Sequence, residues 1–491
     1  MSLRAIVLSA ALLACGCAQL AGPRPAGETD EIARCEGLYA DVDRTVTRAG
    51  AADGGAARIE GFPQLRVDRL LASFAEEVDS EDRFAAWVER MSALDRGARR
   101  FELDNLPAQE RARLERFVSG GIQPALERCA ELLTSRDLAS AARRATLREK
   151  ARVPDDYDTW KRVIGLYWIT RMPFANGVRS YQEETQAVFD GPVSELPARG
   201  RPIIYAPPEA SEGTAAEVRE ILARSTRNAL GILEPQGEDA ERLFAVFAPV
   251  WIVDERDAND RIGPLTVSED GHVEVQATAP VVYRRFAHTR YHERVLLQLV
   301  YSVWFPARPK VSATDLLGGH LDAVIWRVTL GPDGVPLIFD SIHSCGCYHQ
   351  FFPTSRAHPL PQQDTLDEQA FVPQRLGALE PGEQTVIRLE AGTHYIQRVL
   401  VEKAQSGVRY AFAADDALRS IRDPSGRRRS AFRPDGIIPG SERGERDLFW
   451  PMGVREPGAM RQWGRHATAF VGRRHFDEAR LIERYFVLQL N

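Results

Sequence analysis

Between Gly318 and Phe352 the chain reads GGHLDAVIWRVTLGPDGVPLIFDSIHSCGCYHQFF, and His320, Asp322, His343, Cys345, Cys347 and His349 fall inside it. Imidazole, thiolate and carboxylate groups are the ligands of zinc and other borderline divalent metals. As an enzyme site this set would activate a zinc-bound water for hydrolysis. His320, His343 and Cys345 or Cys347 would be ligands, His349 a further one, and Asp322 or Glu293 the base. A metal-sequestering protein would use the same ligands without a base. The spacing His-x-Cys-x-Cys-x-His matches neither a known zinc pattern nor the C-x-x-C-H of haem attachment. Two other readings of the cluster therefore stay open. Cys345 and Cys347 could form a disulfide, for which Gly346 must kink the chain, because i and i+2 Cβ atoms in a strand lie about 6–7 Å apart and a disulfide needs about 3.5–4.5 Å. Alternatively these residues only pack, and the chain is a non-enzymatic envelope scaffold held by disulfides that acts through its surfaces. Two free thiols without metal would leave a Cys nucleophile with a His partner.

A β-hairpin must position these groups. Gly331-Pro332-Asp333-Gly334 separates two β-rich runs, Ala323 to Leu330 and Val335 to Ile342, and Pro-Asp-Gly is turn chemistry. A two-residue loop sets Asp322 opposite Cys345, and a four-residue loop sets it opposite His343. Either even loop puts the whole cluster on one face, because strand side chains alternate; a three-residue loop would split it.

Seven of the ten histidines (272, 288, 292, 320, 343, 349 and 358) lie within 87 positions, which places the chemistry in the C-terminal half. His292-Glu293 is not the helical H-E-x-x-H of zinc proteases, since Leu296 stands where the second histidine belongs. No G-x-S-x-G elbow, Walker loop or dinucleotide fingerprint is present. Trp463 to His475 is basic, a pattern that suits an anion site and is explained as well by a polar surface patch.

The N-terminus carries a different signal. Arg4 precedes a short apolar run, Ile6 to Ala14, too short to span a bilayer, followed by Leu12-Leu13-Ala14-Cys15-Gly16-Cys17. This segment resembles the lipobox of bacterial lipoprotein precursors, with Cys15 as the lipid-modified residue and Cys17 as the alternative. The resemblance covers the first 17 residues only. It implies a signal peptide (1–14), a lipidated tether (15–27), an extracytoplasmic body and a membrane partner. With Gly16 or Ala18 following the cysteine, the family's sorting rule points to the outer membrane. In that oxidising setting four cysteines remain, and Cys35 with Cys129 is the favoured disulfide, each on the apolar face of an expected helix.

At 491 residues, 44% hydrophobic and 27% charged, the chain is an ordinary globular protein with room for more than one domain. A formal charge of −6 makes no case for nucleic acid; nothing identifies a protein partner. Helical periodicity dominates residues 28–189, with Ser80 as an N-cap and the Asp and Glu residues assigned to solvated faces. From 190 to 491 short strands with turn signals dominate. The expected class is α+β: an N-terminal helical bundle, then a mainly antiparallel β-rich domain, a sandwich or curled sheet. Val163 to Phe174 is unusually apolar; a buried linker between the domains is the expected role, and a membrane interface near the anchor the alternative.

Overall fold

The computed structural model describes residues 26–208, 213–403 and 405–490. The signal segment, Cys15 and Cys17 lie outside the described residues. The α+β class holds, with helices first and sheets after.

The helical part is built on α1 (Ala26–Arg48), α2 (Glu81–Asp104) and α3 (Ile122–Ala139). Ser80 caps α2 by accepting a hydrogen bond from Arg83 N–H. Cys35 on α1 is bonded to Cys129 on α3, joining two apolar stripes that also bury Tyr39, Val42, Leu126 and Leu133. The helical pattern hides one hairpin, Ala57–Ile59 with Phe62–Val67, which packs on α2. The acidic residues of α2 are not all solvated as expected. Asp95 and Glu102 are buried, both binding the buried Arg66 (3.0 and 2.8 Å), and Asp95 also holds Arg99 at 2.7 Å. Each charge there has a partner, which is the condition for burying it.

Among the described residues, two large sheets dominate the C-terminal part, with four two-stranded ones beside them. The first contains β1 (Arg201–Ala206) and β2 (Val250–Glu255). Next in the chain come β3 (Val281–Tyr291), β4 (Arg294–Arg308), β5 (Gly319–Leu330), β6 (Pro336–His343) and β7 (Gln350–Pro353). The last strands are β8 (Glu383–Leu389), β9 (Ile396–Lys403), β10 (Val408–Arg409) and β11 (Ala411–Ala414). Strand order is β7-β6-β5-β4-β3-β11 in the six-stranded sheet and β9-β8-β2-β1-β10 in the five-stranded one. Most pairs are antiparallel, but β8–β2, β10–β1 and β11–β3 are parallel. The sheets share a core in which Tyr301, Phe305, Trp326 and Phe339 of one meet Trp251, Val253, Ile387 and Val399 of the other. A second core runs across the helical and β-rich parts, with Trp87 and Met91 packing with Leu230, Ile232, Val295 and Ala479.

The central hairpin forms with an instructive detail. Gly331 N–H donates to Val335 O (2.8 Å), leaving a three-residue loop, Pro332 to Gly334. A bulge follows at once: Leu330 faces Pro336 while Thr329 faces Ile338. The extra residue restores parity, so Val324 faces His343 and Val328 faces Phe339. Trp463 to His475, expected at the surface, is largely inside: His466 and Arg474 are buried, and Arg474 binds Thr468 Oγ1 (3.0 Å).

Candidate functional site

Asp322 and His343 are brought together on the face of the six-stranded sheet that looks toward the other sheet, as the hairpin requires. Both are buried, and His343 Nδ1 lies 3.3 Å from Asp322 Oδ1. His394, from the turn before β9, donates through Nδ1 to Asp322 Oδ2 at 2.9 Å, and Arg443 Nη2 reaches Asp322 Oδ1 at 3.2 Å. His394 stacks flat on Phe305 (3.8 Å between centroids), and its Nε2 faces Asp260 Oδ1 at 3.5 Å. That separation is at the long limit of a hydrogen bond.

Burial opposes the charge on Asp322, but His343, Arg443 and His394 overcome it and hold the carboxyl well below its usual range. Burial would strip His394 of its proton; the hydrogen bonds and charges of Asp260 and Asp322 outweigh this and raise it. For His343 burial wins over Asp322, and the ring is neutral. The carboxyl groups of Asp322 and Asp260 meet His394 and the Arg443 guanidinium in one buried cluster. Asp322 is thus an anchor rather than the expected base, because both oxygens are occupied and its proton affinity is suppressed.

The other expected groups part company with it. His320 is exposed at the edge, its Nε2 bound to Val273 O (2.6 Å), where Leu321 takes a left-handed φ of 60°. Glu293 lies in the exposed β3–β4 turn, twelve residues from Phe305, which stands opposite Asp322, or about 40 Å of extended chain away. His349 falls on the opposite face of the sheet, where Nε2 meets Asp340 Oδ2 at 3.0 Å beside the Arg327–Asp340 pair; burial pushes its pKa down to about 3. The cause of the split is the backbone at Gly346 (φ 90°) and Tyr348 (φ 60°), which ends the strand alternation. A Cβ at Gly346 would meet Ala467 O at 2.2 Å, so only glycine fits this turn. Among the described residues no group of three or more His, Cys, Asp or Glu could hold a metal ion. The expected zinc set of His320, His343, Cys345, Cys347 and His349 is not assembled.

Cys345 and Cys347 are free thiols side by side, with Cys347 N–H 3.4 Å from Cys345 Sγ. The hydrogen bond with Cys345, together with burial, pushes the Cys347 thiol well above its usual range. Cys347 is thus disfavoured as a thiolate nucleophile.

These thiols line a cavity of about 580 Å³. Its walls are aromatic and half-buried: Phe174, Tyr181, Tyr348, Tyr395, Phe449 and Phe470. Helix α5 (Tyr167–Asp190), which follows the short helix α4 (Thr159–Ile164), supplies one wall. Arg308 Nη1 donates to Tyr348 Oη (3.3 Å) and Tyr395 Oη (3.1 Å) at its polar end. Tyr348 and Tyr395 stand edge-on to His343 (centroids 5.0 and 5.8 Å), so the Asp322 cluster supports this wall from behind. Glu445, itself buried, and Glu368 are the cavity's acidic groups. Burial pushes the Glu445 carboxyl up to about 7, although Arg443, Arg308 and Arg461 pull the other way. Sequence patterns pointed to none of Arg308, His394, Arg443 and Glu445, because they converge from separate segments.

Comparison with models of protein families, with characterised proteins and with solved structures returns no match. The site is therefore read from its own geometry. Asp322→Asn is expected to cost about 3–5 kcal/mol in urea unfolding, since it strands two buried cations. His320→Ala is expected to cost under about 1 kcal/mol.

Proposed function

We propose that this protein is a lipid-anchored protein of the cell envelope that binds an apolar molecule, with one small polar end, in the aromatic cavity. The observation that carries the reading is the cavity itself: about 580 Å³ walled by aromatic side chains, with Glu445 and the Tyr348 and Tyr395 hydroxyls, both held by Arg308, among its few polar groups. That volume and composition are those of small-molecule sites, where apolar walls supply affinity and a few polar groups fix orientation. Envelope anchoring rests on the lipobox-like Leu-Leu-Ala-Cys ending at Cys15. The disulfide between Cys35 and Cys129 supports an oxidising compartment.

A second reading, enzymatic action on the bound molecule, is favoured by Glu445, whose titration near 7 suits a proton donor or acceptor. Under that reading Glu445→Gln keeps binding and loses turnover of any substrate found.

Two outcomes follow. Titration of the full chain with an environment-sensitive apolar fluorophore in buffer gives saturable binding. If only the neutral form of Glu445 accepts the probe, affinity falls about tenfold between about pH 6 and 8, and Glu445→Gln removes that dependence. Linear, non-saturating fluorescence would refute the cavity reading. Metabolic labelling with a palmitate analogue in a Gram-negative host marks the wild type, and Cys15→Ser abolishes the label; a label that persists there but disappears in Cys17→Ser moves the anchor to Cys17.

A further inference from the structure

The apolar segment Val163 to Phe174, expected to be a buried linker, is turned inside out, and the exposed stretch begins at Trp160. Trp160 is 61% exposed, Val163 70%, Ile164 65% and Trp168 69%, with Leu166, Ile169 and Met172 exposed beside them. The charged residues of the same stretch are drawn inward. Arg162 donates to Met452 O (2.7 Å) and Gly472 O (2.6 Å) and stacks on Tyr157 and Tyr167. Lys161 folds back onto Asp158 at 3.0 Å. Helices α4 and α5 meet at Leu166 (φ 49°) and are fixed to the body at Gly165, where a Cβ would lie 2.6 Å from Pro451 Cβ. The apolar side is thus presented rigidly rather than by a loose segment. A scattered exposed Leu needs no explanation; a contiguous patch of this kind does.

We infer that this α4–α5 face seats in the interfacial layer of a phospholipid bilayer. Resting on the reading above, the inference adds that the bilayer supplies the cavity's ligand, an acyl-chain lipid. Four observations favour lipid over a protein partner. The face pairs two tryptophans with aliphatic side chains, the composition of interfacial belts. Residues 160–172 contain no acidic residue, so the exposed apolar face carries no carboxylate to repel anionic headgroups. The tether from Cys15 to Ala26 reaches no more than about 40 Å, which keeps the body against the membrane it hangs from. Finally, the face runs into the cavity: one turn beyond Met172, α5 lines it with Pro173, Phe174, Gly177 and Val178, and the exposed Leu448 lines it too. An acyl chain can pass from bilayer to cavity along apolar surface throughout. No helix among the described residues is long and apolar enough to cross a membrane, so the face lies on the bilayer rather than through it.

The test uses the full chain with vesicles of phosphatidylethanolamine and phosphatidylglycerol carrying brominated acyl chains, and reads tryptophan emission. Bromine within the bilayer quenches only rings that enter it, and Trp87, Trp251, Trp304 and Trp326 are buried in the protein. Quenching is expected with the wild type, falling at least by about half in Trp160→Phe/Trp168→Phe. Absence of bromine-dependent quenching, or equal quenching in the double variant, overturns the inference; so does a cross-linked second copy or other protein on this face without quenching. The double variant should still bind the apolar fluorophore in buffer. Loss of probe binding in the wild type with quenching intact would defeat the cavity reading and the lipid supply, leaving the membrane contact alone.

Discussion

Burying a carboxylate between two sheets is costly unless its charge is answered, and Asp322 is answered from three directions. Asp322 belongs to β5 of the six-stranded sheet, His394 to the turn that feeds β9 of the other, and Arg443 to the C-terminal segment. Asp260, beyond the end of β2, closes the set behind His394. The cluster therefore ties both sheets and the C-terminal wrapping to one point. Its hold shows in the backbone, where Leu321, Tyr348 and His394 all adopt left-handed conformations that non-glycine residues rarely occupy. Such conformations persist where surrounding contacts over-determine them.

What that anchor supports is a wall. Tyr395 follows His394 directly, Tyr348 stands edge-on to His343, and Arg308 bridges their two hydroxyls. The aromatic cavity is thus built outward from a polar cluster that itself carries no reactive group: His343 is neutral and Asp322 is fully engaged. The groups able to respond to a ligand or to pH lie on the cavity side. Glu445 titrates near neutrality, and two neighbouring thiols sit beside it. Division into a fixed support and a responsive lining is what a site on rigid strands allows.

Much of the frame was legible in the residues. Pro-Asp-Gly marked the hairpin, alternation put Asp322 and His343 on one face, although Val324 rather than Asp322 stands opposite His343, and two apolar stripes brought Cys35 to Cys129. What was not legible has physical causes. Parity survived a three-residue loop only because a bulge at Leu330 compensated, and bulges leave no periodic trace. His349 left the face because Gly346 and Tyr348 turn the chain, a conformation no local pattern announced. His394 reaches Asp322 across 72 positions, and such convergence belongs to tertiary structure. Apolarity in Val163 to Phe174 and charge in α2 both suggested the wrong environment. Hydropathy reports what a residue prefers, whereas pairing of Arg66 with Asp95 and Glu102, or an apolar medium outside the protein, can reverse it.

The central claim, that the cavity between α5 and the sheet edge holds an apolar molecule, is tested most directly by isolating the full chain from membranes under non-denaturing conditions, extracting it with organic solvent and analysing the extract by mass spectrometry. The account predicts a lipid-like molecule in near-stoichiometric amount from the wild type, and its loss from a folded Val178→Trp variant whose cavity is filled. An empty wild-type extract, or the same molecule at the same level from Val178→Trp, would contradict it.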